Sequence, residues 1–438
     1  MPRRPEAAVC YYYDAGIANV DYGREHNMVP RRVDMAHTLV RSYGMLPVMR
    51  HLRTRPATAD ELCVVHGRDY VQLLQDLTPE AFSAGVQERT SIDNPVIAGL
   101  WDYCRRYAGG SLAAARALAA GEADIAINWS CGMHHACQGE ASGFCYVNDI
   151  AVAVEELLRH HRRVLYLDID VHHGDGVEKI YSESDRVMTV SFHQRTADFF
   201  PEETGFVGDV GTDKGKYHAV NVPMKEGMDD EGYHLMFRPV MAKVMEVFQP
   251  EAVVMQCGAD SLAGDAIGDL NLSIEGHAKC VSFMRSFNLP LLLLGGGGYT
   301  VNHVAACWCY ETSVAIGKDI DIIPDHHYLG YYTKQDSKLH YPVCATKNGN
   351  TATYMANTMN KVLDNLSKLQ AAPSVQFQDT PGRSIIDAEV LFYASPPAED
   401  DDPMVRLHHR CNEKDERSFF EFLGRQAYLQ NGGRSYNF

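Results

Sequence analysis

The string DIDVHHGDG, residues 168 to 176, follows directly on the strand-like RVLYL. In an extended chain Asp168, Asp170 and His172 stand at i, i+2 and i+4, so their side chains project to one side and can surround a single point. Carboxylate oxygen and imidazole nitrogen suit a borderline divalent cation such as zinc, and a catalytic zinc keeps one position open for water or substrate. The competing reading is an acidic loop that caps a helix, which for an isolated DxDxH is the commoner outcome.

Histidine doublets begin at positions 134, 160, 172, 326 and 408, so doubling alone carries no information. His134 and His135 differ by context: INWSCGMHHACQGEASGFCYVND sets them just after an apolar run and before glycines and aromatics that let a ligand approach. Two imidazoles beside a metal can divide the work between proton transfer and a tuned charge if carboxylates orient them, and Asp168 and Asp175 are available for that. A satisfied buried pair is the other reading. Asp260 ends QCGAD at the rim of a buried strand, where an unpaired carboxylate is costly unless a metal or cation neutralises it, and so offers a third ligand. Tyr299 follows four glycines in LLLLGGGGYT, which let the backbone bend and carry a phenol towards the same place. Glycine runs also cradle phosphates, but here no Lys-Ser/Thr follows and no helix cap supports that use.

Residues so far apart in sequence need a scaffold that delivers them together. Apolar runs at 125–129, 163–170, 187–193, 252–260 and 289–298 each end in polar or glycine-rich residues. Their continuous apolarity predicts strands buried on both faces. Amphipathic helical stretches lie between them at 109–122, 147–161 and 236–248. The alternation predicts an α/β fold, a single large domain whose central, mostly parallel sheet is flanked by helices. Ligands bind such sheets beyond the carboxyl ends of the strands, where the polar residues above all fall. Segments 80–95 and 194–216 read as long loops able to wall a pocket. Near residue 372 the character changes, which divides the chain into a catalytic domain over 1–372 and an extension over 373–438. PPAEDDDP, 396–403, has the composition of a solvated linker, and the aromatic, charged end after it either docks or stays mobile.

Bulk properties narrow the function. With 45% hydrophobic and 22% charged residues among 438, the chain can bury a large core. Its net charge of −17 repels a phosphate backbone and favours cationic, lysine-rich partners, so direct nucleic-acid binding is not expected. No apolar stretch suits a signal peptide or approaches the roughly 20 residues of a membrane span, which predicts a soluble intracellular protein with no membrane partner. The 12 cysteines are scattered without a CxxC pair and are expected to be reduced thiols, with Cys307 and Cys309 serving packing.

The assembled motifs give the chain a specific likeness. HHACQGEASGFCYVNDI, VLYLDIDVHHGDGVE, RVMTVSFH, QCGADSL and LGGGGYT match signature segments in order and separation, and from about residue 10 to about 372 the chain resembles the class I histone deacetylases. The resemblance implies the arginase/deacetylase fold with its active site at the C-terminal ends of the strands. It implies zinc held by Asp170, His172 and Asp260, histidine-carboxylate pairs His134 with Asp168 and His135 with Asp175, and Tyr299 as the stabiliser of the oxyanion. An acetyl-lysine tunnel corresponds to Gly143, Phe144 and Phe200 with Ile267 at its mouth, and Asp93 to the carboxylate that holds the substrate backbone. Potassium near the zinc corresponds to Asp168, Asp170, His172, Ser191 and Phe192, and an internal cavity to Arg32, Trp129 and Cys131. The activity implied is hydrolysis of the acetyl amide of N6-acetyl-lysine in histone tails or other proteins. An acetylpolyamine amidohydrolase and an inert acetyl-lysine-binding scaffold are the readings it competes with.

Nuclear residence and membership of a corepressor-type complex are implied by the resemblance alone; with no compact Lys/Arg cluster to mark import, the cytoplasm stays open. Several positions depart from the family pattern. Where relatives bind inositol phosphates through basic residues, this chain has Val29, Ala266 and Asn302, so that regulation is expected to be weak or absent, with Arg31 and Arg32 able to compensate in part. Cys131 stands where the family usually has glycine, which predicts a narrower cavity. The loop HQRTADFFPEETGFVGD is about two residues longer than usual, which leaves the wall position open between Phe199 and Phe200.

Overall fold

A computed structural model describes residues 8–53, 55–81, 90, 93–369 and 391–392. The expected domain limit at 372, and the linker and end within 373–438 apart from Leu391 and Phe392, lie outside the described residues, as does most of the loop expected at 80–95.

Among the described residues nine strands form one sheet: β1 (Val9–Tyr12), β2 (Arg50–Arg53), β3 (Ile125–Asn128), β4 (Val164–Asp168), β5 (Val187–Gln194), β6 (Ala219–Met224), β7 (Ala252–Gln256), β8 (Leu291–Leu294) and β9 (Leu391–Phe392). Their order is β6-β5-β4-β7-β8-β3-β1-β2-β9. The first eight in this order pair in parallel, and only β9 runs antiparallel, against β2. This is the α/β architecture anticipated from the alternation of apolar runs and helical stretches.

The continuous apolarity of the central strands has a direct cause. Leu165, Leu167, Val253, Met255, Leu291 and Leu293 enter one core, while Val164, Tyr166, Ala252, Val254, Leu292 and Leu294 enter another, so alternate residues face opposite sides and both sides are covered. The helices Arg31–Ser42, Asp230–Phe248, Ile274–Arg285 and Val301–Ile316 cover the first face. Leu100–Ala119 and Asp149–Leu158 cover the second. Among the described residues no helix is long and apolar enough to cross a membrane, and the described cysteines are free thiols.

Four strands were not among the expected apolar runs, the two-residue β9 being one of them. β2 reads RHLR and is only partly buried, and β6 carries Pro223, which an edge position tolerates because one side of its backbone needs no ladder partner. β1, VCYY, is fully buried but only four residues long. Two strands end well short of their apolar runs: β7 at Gln256 and β8 at Leu294. The residues released, Cys257–Asp260 and Gly295–Tyr299, form the loops from which the site is built.

Candidate active site

The site gathers at the carboxyl ends of four neighbouring strands, β4, β7, β8 and β3. β4 ends at Asp168, and the chain bends over 169–173 instead of remaining extended. Backbone N–H groups of Asp170 and His172 donate to the side chains of Asp168 and Asp170, both at 3.0 Å, which closes two Asx-type turns. The even spacing therefore splits into two roles. Asp168 turns to His134, with Oδ2 2.7 Å from Nδ1. Asp170 and His172 turn to Asp260, and His172 Nδ1 stands 3.2 Å from both Asp170 Oδ1 and Asp260 Oδ2.

Ligand atoms of Asp170, His172 and Asp260 lie within 4.8 Å of one another, and all three residues are buried. The carboxylates are aimed by neighbours: Gln256 Nε2 and the Gly297 N–H donate to Asp170 Oδ2 at 2.7 and 2.8 Å, and the Val171 N–H donates to Asp260 Oδ1 at 2.8 Å. A side chain at Gly297 would collide with them, its Cβ falling 1.8 Å from Asp260 Oδ2. The group carries more negative charge than one imidazole balances. Burial and then the Asp170 charge push Asp260 up to about 7. Burial opposes charge on His172, but its bonds to Asp170 and Asp260 outweigh this and raise it to about 10. Two oxygens and one nitrogen in a dry, anionic pocket are a donor set that fits zinc.

The doublet beside this cluster is split electrostatically. The His134 and His135 ring centres are 3.9 Å apart, and His135 Nδ1 meets Asp175 Oδ1 at 2.6 Å. Burial opposes charge on His134, yet Asp168 and Asp170 overcome it and raise the ring to about 9. Burial, reinforced by His134, holds His135 down to about 4 in spite of Asp175. One ring is thus a cation and the other a free base across the neutral range, a division suited to acid-base chemistry.

Apolar walls surround these rings. Phe200 meets the His135 ring edge-on with centres 4.9 Å apart and is 40% exposed, whereas Phe199 stacks on His172 at 5.1 Å and packs against the core. Of the two, Phe200 is the more exposed. On the other side Phe144 and Tyr299 meet edge-on at 5.8 Å. Gly143 has φ +50, and a Cβ there would lie 2.4 Å from His135 Cδ2. Gly143→Ala is accordingly expected to push the ring aside and lower kcat/KM by about 10²-fold, with the circular dichroism spectrum retained. Ile267 is partly buried on the loop after β7. Asp93 is exposed, and its carbonyl lies 3.1 Å from His26 Nε2, whose ring is 4.5 Å from that of Phe144.

The residues expected to carry potassium and line an internal cavity are distributed unevenly. Asp168 and Ser191 are register partners on β4 and β5, and the Phe192 ring packs in the core against Tyr233 and Phe237. Arg32 donates to the carbonyls of Gly298 and Gly296, lies 5.2 Å from the Trp308 ring, and Trp308 stacks on Trp129 at 5.8 Å. The structure does not bring the Cys131 thiol to this group: it donates to the Asn128 carbonyl at 2.8 Å and belongs to the core on the opposite face. Of the two arginines expected to offset Val29, Ala266 and Asn302, Arg32 is buried and engaged, whereas Arg31 is exposed.

Several positioning residues escaped the motif reading. Asp149 accepts from the N–H groups of Gly132 and Met133 at 3.1 and 2.8 Å and fixes the turn that presents His134 and His135. His277 places Nδ1 2.8 Å from Glu311 Oε1 and Nε2 2.9 Å from the Gly258 carbonyl, two residues before Asp260. Cys307, expected only to pack, also faces His277 Nδ1 at 3.4 Å. His173 bridges Thr204 and Glu178 and so ties down the loop that carries Phe200. The one available signal for Asp149, His277 and Glu311 was a polar residue on an otherwise apolar helix face.

Comparison with known proteins agrees with this arrangement. The histone deacetylase domain family matches residues 26–315. Histone deacetylase 1 of Oryza sativa subsp. japonica is 49% identical over 429 residues, which cover 97% of this chain and 81% of the rice protein. Histone deacetylase 19 of Arabidopsis thaliana is 52% identical over 378 residues, 85% of this chain and 75% of its own. For histone deacetylase 1 of Homo sapiens the identity is 49% over 382 residues, 86% of this chain and 79% of the human protein. A match of this extent, over a sheet whose central strand ends converge on a buried aspartate-histidine cluster, means that the chain belongs to the histone deacetylase family.

Proposed function

We propose that this chain hydrolyses the acetyl amide of N6-acetyl-lysine in histone tails or similar proteins, releasing acetate and lysine, through a catalytic unit over 1–372. The observation that carries this reading is the buried cluster of Asp170, His172 and Asp260 beside the carboxylate-paired rings of His134 and His135. Those three residues would hold zinc, which when bound polarises a carbonyl and makes water a better nucleophile. His135, kept neutral, accepts the proton of the attacking water and delivers it to the lysine nitrogen as the C–N bond breaks. Asp175 holds its Nδ1 and so leaves Nε2 for that transfer. His134, held charged by Asp168, stabilises the negative charge that develops. The apolar surroundings of Tyr299, followed by the charges of Asp260 and Asp170, raise its phenol well above the ordinary tyrosine value, so it stays protonated and donates to the oxyanion.

Gly143, Phe144 and Phe200 wall the channel with Ile267 at its mouth, and they favour neutral acetyl-lysine because desolvating the product ammonium is costly. Asp93 accepts from the substrate backbone. Potassium is assigned to Asp168, Asp170 and His172 with Ser191 and the backbone of Phe192. The acetylated tails are themselves basic and suit the net charge of −17. Residence in the nucleus and a corepressor-type complex belong to this reading on family resemblance. Inositol phosphates are expected to leave activity within about twofold in a titration, since Arg32 is engaged internally; tight, activating binding would reverse that assignment. To separate protein from polyamine substrates, turnover of an acetyl-lysine peptide is compared with that of acetylputrescine. The peptide is expected to react at least about tenfold faster in kcat/KM, and the opposite order would replace this reading with an acetylpolyamine amidohydrolase.

A further inference from the structure

Tyr299 follows Gly295–Gly298, and such a run has little conformational preference of its own. Gly296 and Gly298 take φ of +143 and +121, so the loop adopts backbone conformations that only neighbouring groups can select. On one side Arg32 takes the carbonyls of Gly296 and Gly298. On the other, a single carboxylate takes the N–H groups. Asp265 Oδ2 accepts from Tyr299 at 2.7 Å and Thr300 at 3.3 Å, and its Oδ1 accepts from Ile267 at 3.0 Å and Gly268 at 3.2 Å. Thr300 Oγ1 adds a bond to the Gly264 carbonyl at 2.8 Å. One side chain thus joins the loop after β8, which carries the phenol, to the loop after β7, which carries Ile267.

We infer that Asp265 is a positioning residue that sets the Tyr299 phenol for donation to the oxyanion and holds Ile267 at the channel mouth. The inference rests on the role of Tyr299 proposed above. A carboxylate offers about four lone-pair directions, and here all four backbone donors use them. Bonds to an ionised acceptor are the strong kind, so their loss frees both loops at once. Asp265 itself reaches neither the metal ligands nor the space between the histidines through any of these bonds.

The test measures kcat and KM on an acetyl-lysine peptide for Asp265→Ala and Asp265→Asn, each in the native chain and in Tyr299→Phe, with zinc content determined for every variant. In the native background Asp265→Ala is expected to lower kcat by about 10- to 100-fold, the scale of a misplaced catalytic group. In the Tyr299→Phe background the same change is expected to lower kcat by less than about threefold, because the group it positions is already gone. A rise in KM through Ile267 persists in both. Asp265→Asn keeps the volume and one acceptor, so it is expected to fall between and serves if the alanine variant does not fold. Effects on kcat that multiply fully in the double variant overturn the inference while leaving the role of Tyr299 intact. A Tyr299→Phe enzyme as fast as the native one would reject that role and this inference with it.

Discussion

Tyr299→Phe is expected to lower turnover of an acetyl-lysine peptide by about 10²-fold or more while zinc content is unchanged. The phenol is the donor closest in type to a group needed only as the carbonyl oxygen becomes anionic, and removing one such donor typically has an effect of that size. Its surroundings keep it protonated, with the Asp260 and Asp170 charges adding to desolvation. The ring edge on Phe144, at 5.8 Å between centres, and the backbone bond to Asp265 remain in the variant. Structure and metal binding should therefore survive, and the loss should fall on kcat more than on KM, since a phenylalanine still fills the wall. Undiminished kcat would remove Tyr299 from the mechanism.

Asp260→Asn is expected to have a larger effect, loss of bound zinc together with a fall in activity of about 10³-fold or more. Changing an outer partner of a metal ligand typically costs about 10- to 100-fold in affinity or activity, and here a ligand itself is neutralised. Asp260 accepts from the Val171 N–H at 2.8 Å and faces His172 Nδ1 at 3.2 Å. An amide of the same shape retains the first contact but supplies no charge to a cation. Metal analysis of the purified variant beside its peptide assay checks both halves of the prediction. Full zinc occupancy in Asp260→Asn would exclude Asp260 as a ligand.

The fold was legible because both faces of the central strands are covered. Leu165 and Leu167 enter one core while Val164 and Tyr166 enter the other, so β4 reads as one apolar run, and the same holds for β7 and β8. β2, with its charged RHLR, and β6, with Pro223, gave no such run because they lie towards the sheet margins. Asp170, His172, Asp260, His134, His135 and Tyr299 stood out because polar residues at the ends of apolar strands are costly without a purpose. The turn geometry was not legible. An extended chain through His172 placed Asp168, Asp170 and His172 around one point, whereas two Asx-type turns send Asp168 to His134 and the other two to Asp260. Contacts between distant elements, such as Asp149 to Gly132 or Asp265 to Tyr299, leave no periodic trace.

We propose that a single divalent ion, held by the buried cluster of Asp170, His172 and Asp260, makes this chain a deacetylase. Stripping the protein of metal and titrating zinc back while following acetyl-lysine peptide hydrolysis tests it most directly. Activity should be lost on stripping and should return in proportion to zinc until it levels off at one equivalent per chain. Full activity in the stripped protein, or a plateau reached only at two equivalents, would mean that no single ion at this cluster drives the reaction.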